Sequence, residues 1–263
     1  MRNHLALNLR TLGPGRTLEQ KLYAAAAAGF AAVGLSQEDL ESTEERARQE
    51  LRLSDLRVAE LEGVTGWLDQ GHTARSLALV RAESVFATAA QVGASLVIAW
   101  PPSQPVEPLG AATCFADLCR AAQPFGVRVG LEFFRGSPSL KDLASAWRMV
   151  EVAEAGNGGL VIDAFHFFAG GSTLEAIEPV PADKIYLVQL CDAPDLHEWE
   201  LEDRHRLYPG TGSLALEPLL AAIRGKGYDG YYSLELQNEV YWSEDPAIVA
   251  AEGLRSLRRL DIN

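Results

Sequence analysis

The chain has 263 residues, of which 48% are hydrophobic and 22% are charged, and its 23 Lys and Arg against 36 Asp and Glu give a net charge of −13. This composition is typical of a globular protein with one large core. A negative charge of this size repels phosphate backbones and anionic lipid headgroups, so we expect neither a nucleic-acid nor a membrane partner.

Two further features concern the compartment. The longest uncharged apolar stretch, 23–36, is too short to span a bilayer, and the first ten residues contain no apolar run of signal-peptide length. The three cysteines form no CxxC pair. Free thiols and a cytoplasmic location are therefore expected.

Short apolar runs alternate with longer segments rich in alanine and leucine along the whole chain. The short runs predict strands at 5–9, 31–35, 57–61, 96–100, 128–133, 160–163, 185–190 and 231–236. The longer segments predict helices at 18–28, 43–53, 74–92, 111–122, 140–155, 216–224 and 246–260, with a weak helix signal at 174–177. Alternation of this kind predicts a parallel sheet covered by helices.

Eight such units favour a closed (β/α)8 barrel over an open sheet, since about 250 residues is the usual size of this barrel. No linker or shift in composition divides the chain, so we predict one α/β domain over residues 1–263. No GxGxxG motif follows the first strand, which argues against a dinucleotide-binding sheet.

Four consecutive predicted strands each carry one polar residue in an otherwise apolar carboxyl end, namely Glu132, Asp163, Gln189 and Glu235. A carboxylate buried without a partner is costly, so each requires a cation or a proton. Neighbouring parallel strands lie about 4.8 Å apart, so the four side chains can converge. Their oxygens suit Mg2+ or Mn2+, and neutralisation by a neighbouring Lys or Arg is the alternative.

Other polar residues near the strand ends are further candidates. His166 could hold a substrate oxygen or fill the core, and Arg206 lies in the loop before the last strand. Glu60 and Glu62 share one face of the third strand, where we expect one to enter the barrel mouth and the other to be a rim charge.

The remaining candidates each have a simpler explanation. Asp192 could be a further ligand or cap the following loop, and the 210–212 segment could bind phosphate or form a turn. Trp67 and Trp100 could stack on a sugar ring, although packing is the commoner role.

The second half of the chain resembles the xylose-isomerase-like TIM-barrel superfamily of sugar isomerases and epimerases. The resemblance covers residues 126–242 and is carried by GVRVGLEF at 126–133, GLVIDAFHF at 159–167, DKIYLVQLCD at 183–192, RLYPGTG at 206–212 and YSLEL at 232–236. Within this superfamily, the chain is most similar to 2-keto-myo-inositol (inosose) isomerases and bacterial 3-dehydroshikimate dehydratases.

The resemblance implies one divalent ion held by Glu132, Asp163, Gln189 and Glu235, with His166 and Arg206 contacting substrate. Ketose 3-epimerases usually carry His where this chain has Gln189. A dehydratase substrate carries a carboxylate and would favour an arginine after the third strand, yet residues 61–72 contain no Lys or Arg.

The expected activity is isomerisation or epimerisation of a polyhydroxy ketone, by removal of a proton next to a metal-bound carbonyl through an enediolate. Glu132 and Glu235 are the candidate acid and base, with His166 and Arg206 holding the oxygens that gain charge. The alternatives are a metal-dependent dehydratase and a non-catalytic sugar-binding barrel. The expected metal ion is Mg2+ or Mn2+ rather than Co2+ or Zn2+. The sequence leaves the choice between a monomer and a homo-oligomer open.

Overall fold

The computed structural model describes residues 4–40, 44–68, 71–260 and 262. Eight parallel strands follow one another in chain order around a closed barrel, which the pairing of the last strand with the first completes. The strands are β1 (Leu5–Asn8), β2 (Ala32–Leu35), β3 (Arg57–Val64), β4 (Leu96–Ala99), β5 (Arg128–Glu132), β6 (Gly158–Asp163), β7 (Ile185–Leu190) and β8 (Tyr232–Leu234). The predicted (β/α)8 barrel is therefore confirmed.

Helices connect the strands and pack around the barrel. They are α1 (Leu18–Ala28), α2 (Glu44–Ser54), α3 (His72–Val92), α4 (Pro108–Ala122), α5 (Leu143–Ala153), α6 (Ala164–Ala169), α7 (Leu216–Gly225), α8 (Glu239–Trp242) and α9 (Pro246–Arg258). Within the described ranges, none has the length and apolar character needed to cross a membrane.

The helices differ from the prediction at three places. The sequence pattern predicts neither α6 nor α8, because 6 and 4 residues are too few to show a helical period. The weak signal at 174–177 corresponds to a 3-10 helix, Leu174–Ile177. The start predicted for α2 at 43 lies outside the described residues.

Small and large side chains share the space inside the barrel. One interior cluster joins alanines of β1 to β3, and another joins larger residues of β4 to β7, namely Ala6, Ala32 and Ala59 in the first and Leu96, Ile98, Val161, Tyr186 and Leu187 in the second. Alternate strand residues instead face the helices in the main core. Because both faces of the strands are buried, a polar residue within a strand requires a partner.

Strand β3 extends three residues beyond its predicted end and contains both of its glutamates. Glu60 and Glu62 are 0% and 1% exposed. The expectation that one of them is an exposed rim charge is therefore wrong. The longer strand keeps both side chains on the same buried face, since alternate residues of a strand point the same way.

Glu60 lies deep in the barrel and has one hydrogen-bond donor among the described residues. Its Oε1 accepts a hydrogen bond from Ser233 Oγ at 3.1 Å, and its Oε2 has no partner among the described residues. Gly34 makes room for it, because a Cβ at that position would overlap Glu60 Oε1. Burial, with a smaller contribution from Glu62, raises the pKa of Glu60 to about 8.

This pKa makes stability depend on pH in a defined direction. Above the ordinary pKa of 4.5, the unfolded chain releases the Glu60 proton, whereas the folded chain keeps it until about pH 8. The free energy of unfolding should therefore fall as pH rises from about 4.5 to 8. Glu60→Gln removes this loss, so the variant should equal wild type near pH 5 and exceed it at pH 8, by at most on the order of 4 kcal/mol.

Urea unfolding at the two pH values measures the difference. Glu83→Gln, at an exposed position of α3, is the matched control and should follow wild type at both. A Glu60→Gln effect of equal size at pH 5 and pH 8 would contradict a protonated Glu60.

Candidate functional site

The carboxyl ends of the barrel strands surround a cavity of about 280 Å³. Its lining includes Trp100, Glu132, Phe134, His166, Arg206 and Glu235. A larger cavity of about 760 Å³ lies outside the barrel against α3, but Arg81 is the one ionisable side chain among its described lining residues. Of these two cavities, the smaller one has several acid–base groups, and it lies at the end of the barrel where TIM-barrel enzymes have their active sites.

Two residues that line this cavity, Glu132 and His166, meet Asp163 at one point. An oxygen of Glu132, an oxygen of Asp163 and a ring nitrogen of His166 all lie within 4.8 Å of one another. Helix α6 begins directly after Asp163, whose Oδ1 accepts a hydrogen bond from the His166 backbone N–H at 3.1 Å. The cap of this short helix thus fixes the histidine beside the two carboxylates, although the sequence pattern assigns His166 no ligand role.

Arg206 supplies a buried positive charge to the site. Its Nη1 donates to Asp163 Oδ2 at 2.7 Å, and the exposed fractions of the two side chains are 1% and 0%. Its Nη2 lies 3.4 Å from His166 Nε2. Because a guanidinium can only donate, Nε2 accepts and the histidine proton belongs on Nδ1. Of the four strand-end residues, Asp163 is thus the one that an arginine neutralises.

Gln189 and Glu235 are buried but incompletely bonded. Neither amide atom of Gln189 has a hydrogen-bond partner among the described residues, and the same holds for Glu235 Oε2. Glu235 Oε1 accepts from Gln237 Nε2 at 3.1 Å. In the sheet register, Gln189 is the partner of Asp163 on one side and of Ser233 on the other. An unsatisfied buried polar group costs about 1–3 kcal/mol, so these atoms favour the binding of a ligand at this point.

The ionisation of the acids follows from their surroundings. Burial raises the pKa of Glu132 well above its ordinary value, and the charge of Asp163 adds to the effect. Burial also raises the pKa of Glu235, which the Arg206 charge only partly offsets. Burial acts in the same direction on Asp163, yet the attraction of Arg206 and His166, together with the hydrogen bonds that both donate, outweighs it and lowers that pKa. The positive charge near Glu132 and Glu235 is therefore too small to offset their burial.

The opposite half of the barrel mouth holds a second polar group. Glu62 accepts hydrogen bonds from Asn8 Nδ2 and from Arg10 Nε. The Arg10 guanidinium carbon lies 5.7 Å from the centre of the Trp100 ring, whose Nε1 donates to Glu132 Oε2 at 2.7 Å. Sequence reasoning misses Asn8 and Arg10. Asn8 carries the same signal as the four residues above, a polar side chain ending an apolar strand.

Several other candidates have structural roles. Trp67 is 1% exposed and donates to the Trp100 carbonyl at 2.9 Å, so it packs rather than lining the cavity. Asp192 accepts from the backbone N–H groups of Ala193, Gly210 and Leu214, so it caps its loop. That capping uses the Gly210 N–H, which argues for a turn at 210–212.

Comparisons with known proteins agree with this geometry. A family model described as xylose isomerase-like TIM barrel matches residues 22–260. The 3-dehydroshikimate dehydratase of Pseudomonas aeruginosa is 32% identical over 266 residues, which cover 97% of this chain and 41% of that protein. The inosose isomerase of Halalkalibacterium halodurans is 36% identical over 140 residues, which cover 52% of this chain and 49% of that protein. Both matches thus cover less than half of the relative's own length.

Two solved structures have the same fold. The IOLI protein with a bound zinc atom is 20% identical, with a TM-score of 0.91 over 98% of this chain and 97% of that one. A fusion of a xylose isomerase-like TIM barrel with a 4-hydroxyphenylpyruvate dioxygenase is 27% identical, with a TM-score of 0.92 over 99% of this chain and 43% of that one. The curated relatives come from the two branches that the motifs indicate, and this chain belongs to the xylose isomerase-like TIM barrel family.

Proposed function

We propose that this protein is a divalent-metal enzyme that isomerises or epimerises a polyhydroxy ketone after removing the proton next to its carbonyl. One observation carries the proposal. Buried oxygens of Gln189 and Glu235 have no partner among the described residues, and they belong to the same strand ends as Glu132 and Asp163. Buried oxygens that have no hydrogen-bond donor, next to carboxyl groups whose pKa burial raises, favour the binding of a cation.

The residues fit such an ion. Glu132, Asp163, Gln189 and Glu235 would hold it through oxygen, which suits Mg2+ or Mn2+. A nitrogen ligand from His166, which would also suit Zn2+ or Co2+, requires Nε2 to bind the ion in place of the hydrogen bond from Arg206. When bound, the ion acts as a Lewis acid that stabilises negative charge on the substrate oxygens.

The chain's own groups then divide the proton transfers. Glu132 and Glu235 are carboxylates whose pKa burial raises toward the range of a useful general base. One removes the proton and the other returns it to a neighbouring atom. Burial lowers the pKa of His166, so the ring is neutral and its Nδ1–H is available to a substrate oxygen. Arg206 holds both Asp163 and the His166 ring in place.

Dehydration is the second candidate, and a specific observation favours it. The match to the 3-dehydroshikimate dehydratase extends over 97% of this chain, whereas the match to the inosose isomerase covers 52%. The same first proton removal leads to loss of water when a β-hydroxyl lies over the acid group. The two candidates therefore share their catalytic residues and differ in the substrate.

Deuterium exchange tests the shared step. Metal-loaded protein in D2O should incorporate deuterium next to the carbonyl of at least one ketone in a panel of ketoses, inososes and 3-dehydroshikimate, as measured by mass spectrometry. Formation of an aromatic product from 3-dehydroshikimate would identify the dehydratase by its ultraviolet absorbance. No exchange into any member would indicate a non-catalytic sugar-binding barrel.

Glu235→Gln separates ligation from proton transfer. The amide oxygen can still coordinate an ion but cannot accept a proton, so at saturating metal turnover should fall by about 10²–10⁴-fold. Substrate affinity measured by calorimetry should change little. Glu239→Gln, at an exposed position four residues along, is the matched control. Wild-type turnover in Glu235→Gln would make Glu235 a ligand only and move the base to Glu132.

Metal removal should lower the melting temperature. A ligand at about 100 times its dissociation constant stabilises the fold by about 2.7 kcal/mol, so EDTA should remove a stabilisation of that order. Gln189→Leu deletes an amide that has no partner, so the metal-free variant should be no less stable than metal-free wild type. It should respond less to added Mg2+ or Mn2+ in differential scanning fluorimetry. Equal responses of the two proteins would exclude Gln189 as a ligand.

A further inference from the structure

Arg206 is the one Lys or Arg among the described residues that line the cavity, and it already has partners. Its side chain is 1% exposed, and each of its three guanidinium nitrogens contacts another side chain. Nη1 donates to Asp163 Oδ2 at 2.7 Å, Nη2 lies 3.4 Å from His166 Nε2, and Nε donates to Asp203 Oδ1 at 3.1 Å. Arg206 therefore serves the protein's own side chains.

Asp203 is the most exposed acid of the described cavity lining. Its side chain is 50% exposed, whereas Glu132 and Glu235 are each 4% exposed. Its Oδ1 accepts from Arg206, and no described residue donates to its Oδ2. Because an ionised carboxylate can only accept hydrogen bonds, Asp203 presents a free acceptor at the open end of the cavity.

Arg206 fixes both the backbone and the side chain of Asp203. Asp203 begins the 3-10 helix Asp203–His205, in the loop between β7 and α7. Its carbonyl accepts from the Arg206 backbone N–H at 3.1 Å, and its Oδ1 accepts from Nε at the same distance. A carboxylate held at two points loses little freedom when a ligand binds, so Asp203 is preorganised.

The same guanidinium connects Asp203 to the proposed reaction centre. It is bonded through Nε to Asp203 and through Nη1 to Asp163, one of the proposed metal ligands. The cavity volume of about 280 Å³ has room for one small molecule. A substrate whose carbonyl lies beside Asp163 and Glu132 therefore has another part of its chain or ring within reach of Asp203.

The open end of the cavity is suited to hydroxyl groups. Its other polar side chains among the described lining residues include Ser103 and Gln237, which are uncharged. A hydroxyl can donate to the Asp203 carboxylate, and such a charge-assisted hydrogen bond is stronger than a neutral one. A negatively charged group in the same place would instead face a like charge without a free cation to offset it.

We propose that Asp203 accepts a hydrogen bond from a substrate hydroxyl away from the reacting carbonyl, and that this contact determines which substrates bind. The inference rests on the proposed function and deepens it by assigning a specificity-determining residue to the same cavity. Asp203 has no role in the proton transfers, which belong to Glu132 and Glu235. Its segment, LEDRHR at 201–206, is an ordinary polar loop in sequence, so no local pattern marks it.

Calorimetry with two ligands tests the assignment without turnover. Protein at saturating Mn2+ should bind myo-inositol, a neutral ring of hydroxyl groups, more tightly than shikimate, a hydroxylated ring that carries a carboxylate. Asp203→Ala should weaken myo-inositol binding by about 10-fold, because a hydrogen bond to a charged group is lost. It should strengthen shikimate binding by up to about 5-fold, because a like charge is removed. The ratio of the two dissociation constants should therefore change by about 10-fold or more.

Two further variants exclude a purely structural explanation. Asp203→Asn keeps an oxygen that can accept from Arg206 and from a hydroxyl, so it should lose less myo-inositol affinity than Asp203→Ala. Asp195→Asn, at an exposed position of the same loop, is the matched control and should keep the wild-type ratio. If the loss of Asp203 only released Arg206, both ligands would bind equally less tightly, and the ratio would not change.

An unchanged ratio in Asp203→Ala would overturn the assignment, and so would a wild-type protein that binds no myo-inositol or prefers shikimate. The outcomes also separate this inference from the proposed function. Deuterium exchange into a ketone, together with an unchanged ratio in Asp203→Ala, would overturn the role of Asp203 alone. A changed ratio in a protein that exchanges no ketone proton would support Asp203 and count against catalysis.

Discussion

The barrel mouth has a set of four buried carboxylates, Glu62, Glu132, Asp163 and Glu235, and the need to match their charge organises the site. Arginines neutralise two of them, Asp163 through Arg206 and Glu62 through Arg10. Glu132 and Glu235 have no such partner among the described residues, and burial raises the pKa of both. In a medium of low dielectric constant, two unmatched like charges must take up protons or a cation. The remaining deficit of two charges equals the charge of one divalent ion.

The sequence predicts the barrel because each strand is buried on both faces and is therefore a plain apolar run. For the same reason, the polar residues that interrupt such runs are easy to recognise in the sequence, namely Glu132, Asp163, Gln189 and Glu235. Sequence reasoning misses two kinds of feature, namely helices too short to show a period and contacts between residues far apart in the chain. Helix α6 has only 6 residues and depends on capping by Asp163. The contact of Arg10 with Glu62 joins residues 52 positions apart, and no local pattern predicts it.

Glu60 and Glu62 show how strongly the surroundings of a carboxyl group affect its pKa. They lie two residues apart on one face of β3, and both are buried. Glu62 has an arginine and an asparagine as donors. Glu60 has one serine hydroxyl and the bare backbone of Gly34, so burial raises its pKa to about 8. Burial raises the pKa of both groups, but the Arg10 charge offsets part of this rise at Glu62, whereas Glu60 has no cation beside it among the described residues. Sequence alone cannot reveal this difference.

The surroundings of Glu60 also limit the negative charge inside the barrel. A protonated Glu60 adds no negative charge beside Glu62, which the Arg10 guanidinium binds. An ionised Glu60 would repel the Glu62 carboxylate on the same buried face, and the Ser233 hydroxyl is its one hydrogen-bond donor among the described residues. Gly34 makes the neutral form possible, because the space beside it admits the carboxyl group without a cation. A single glycine on β2 therefore allows Glu60 and Glu62 to share one buried face that has one arginine.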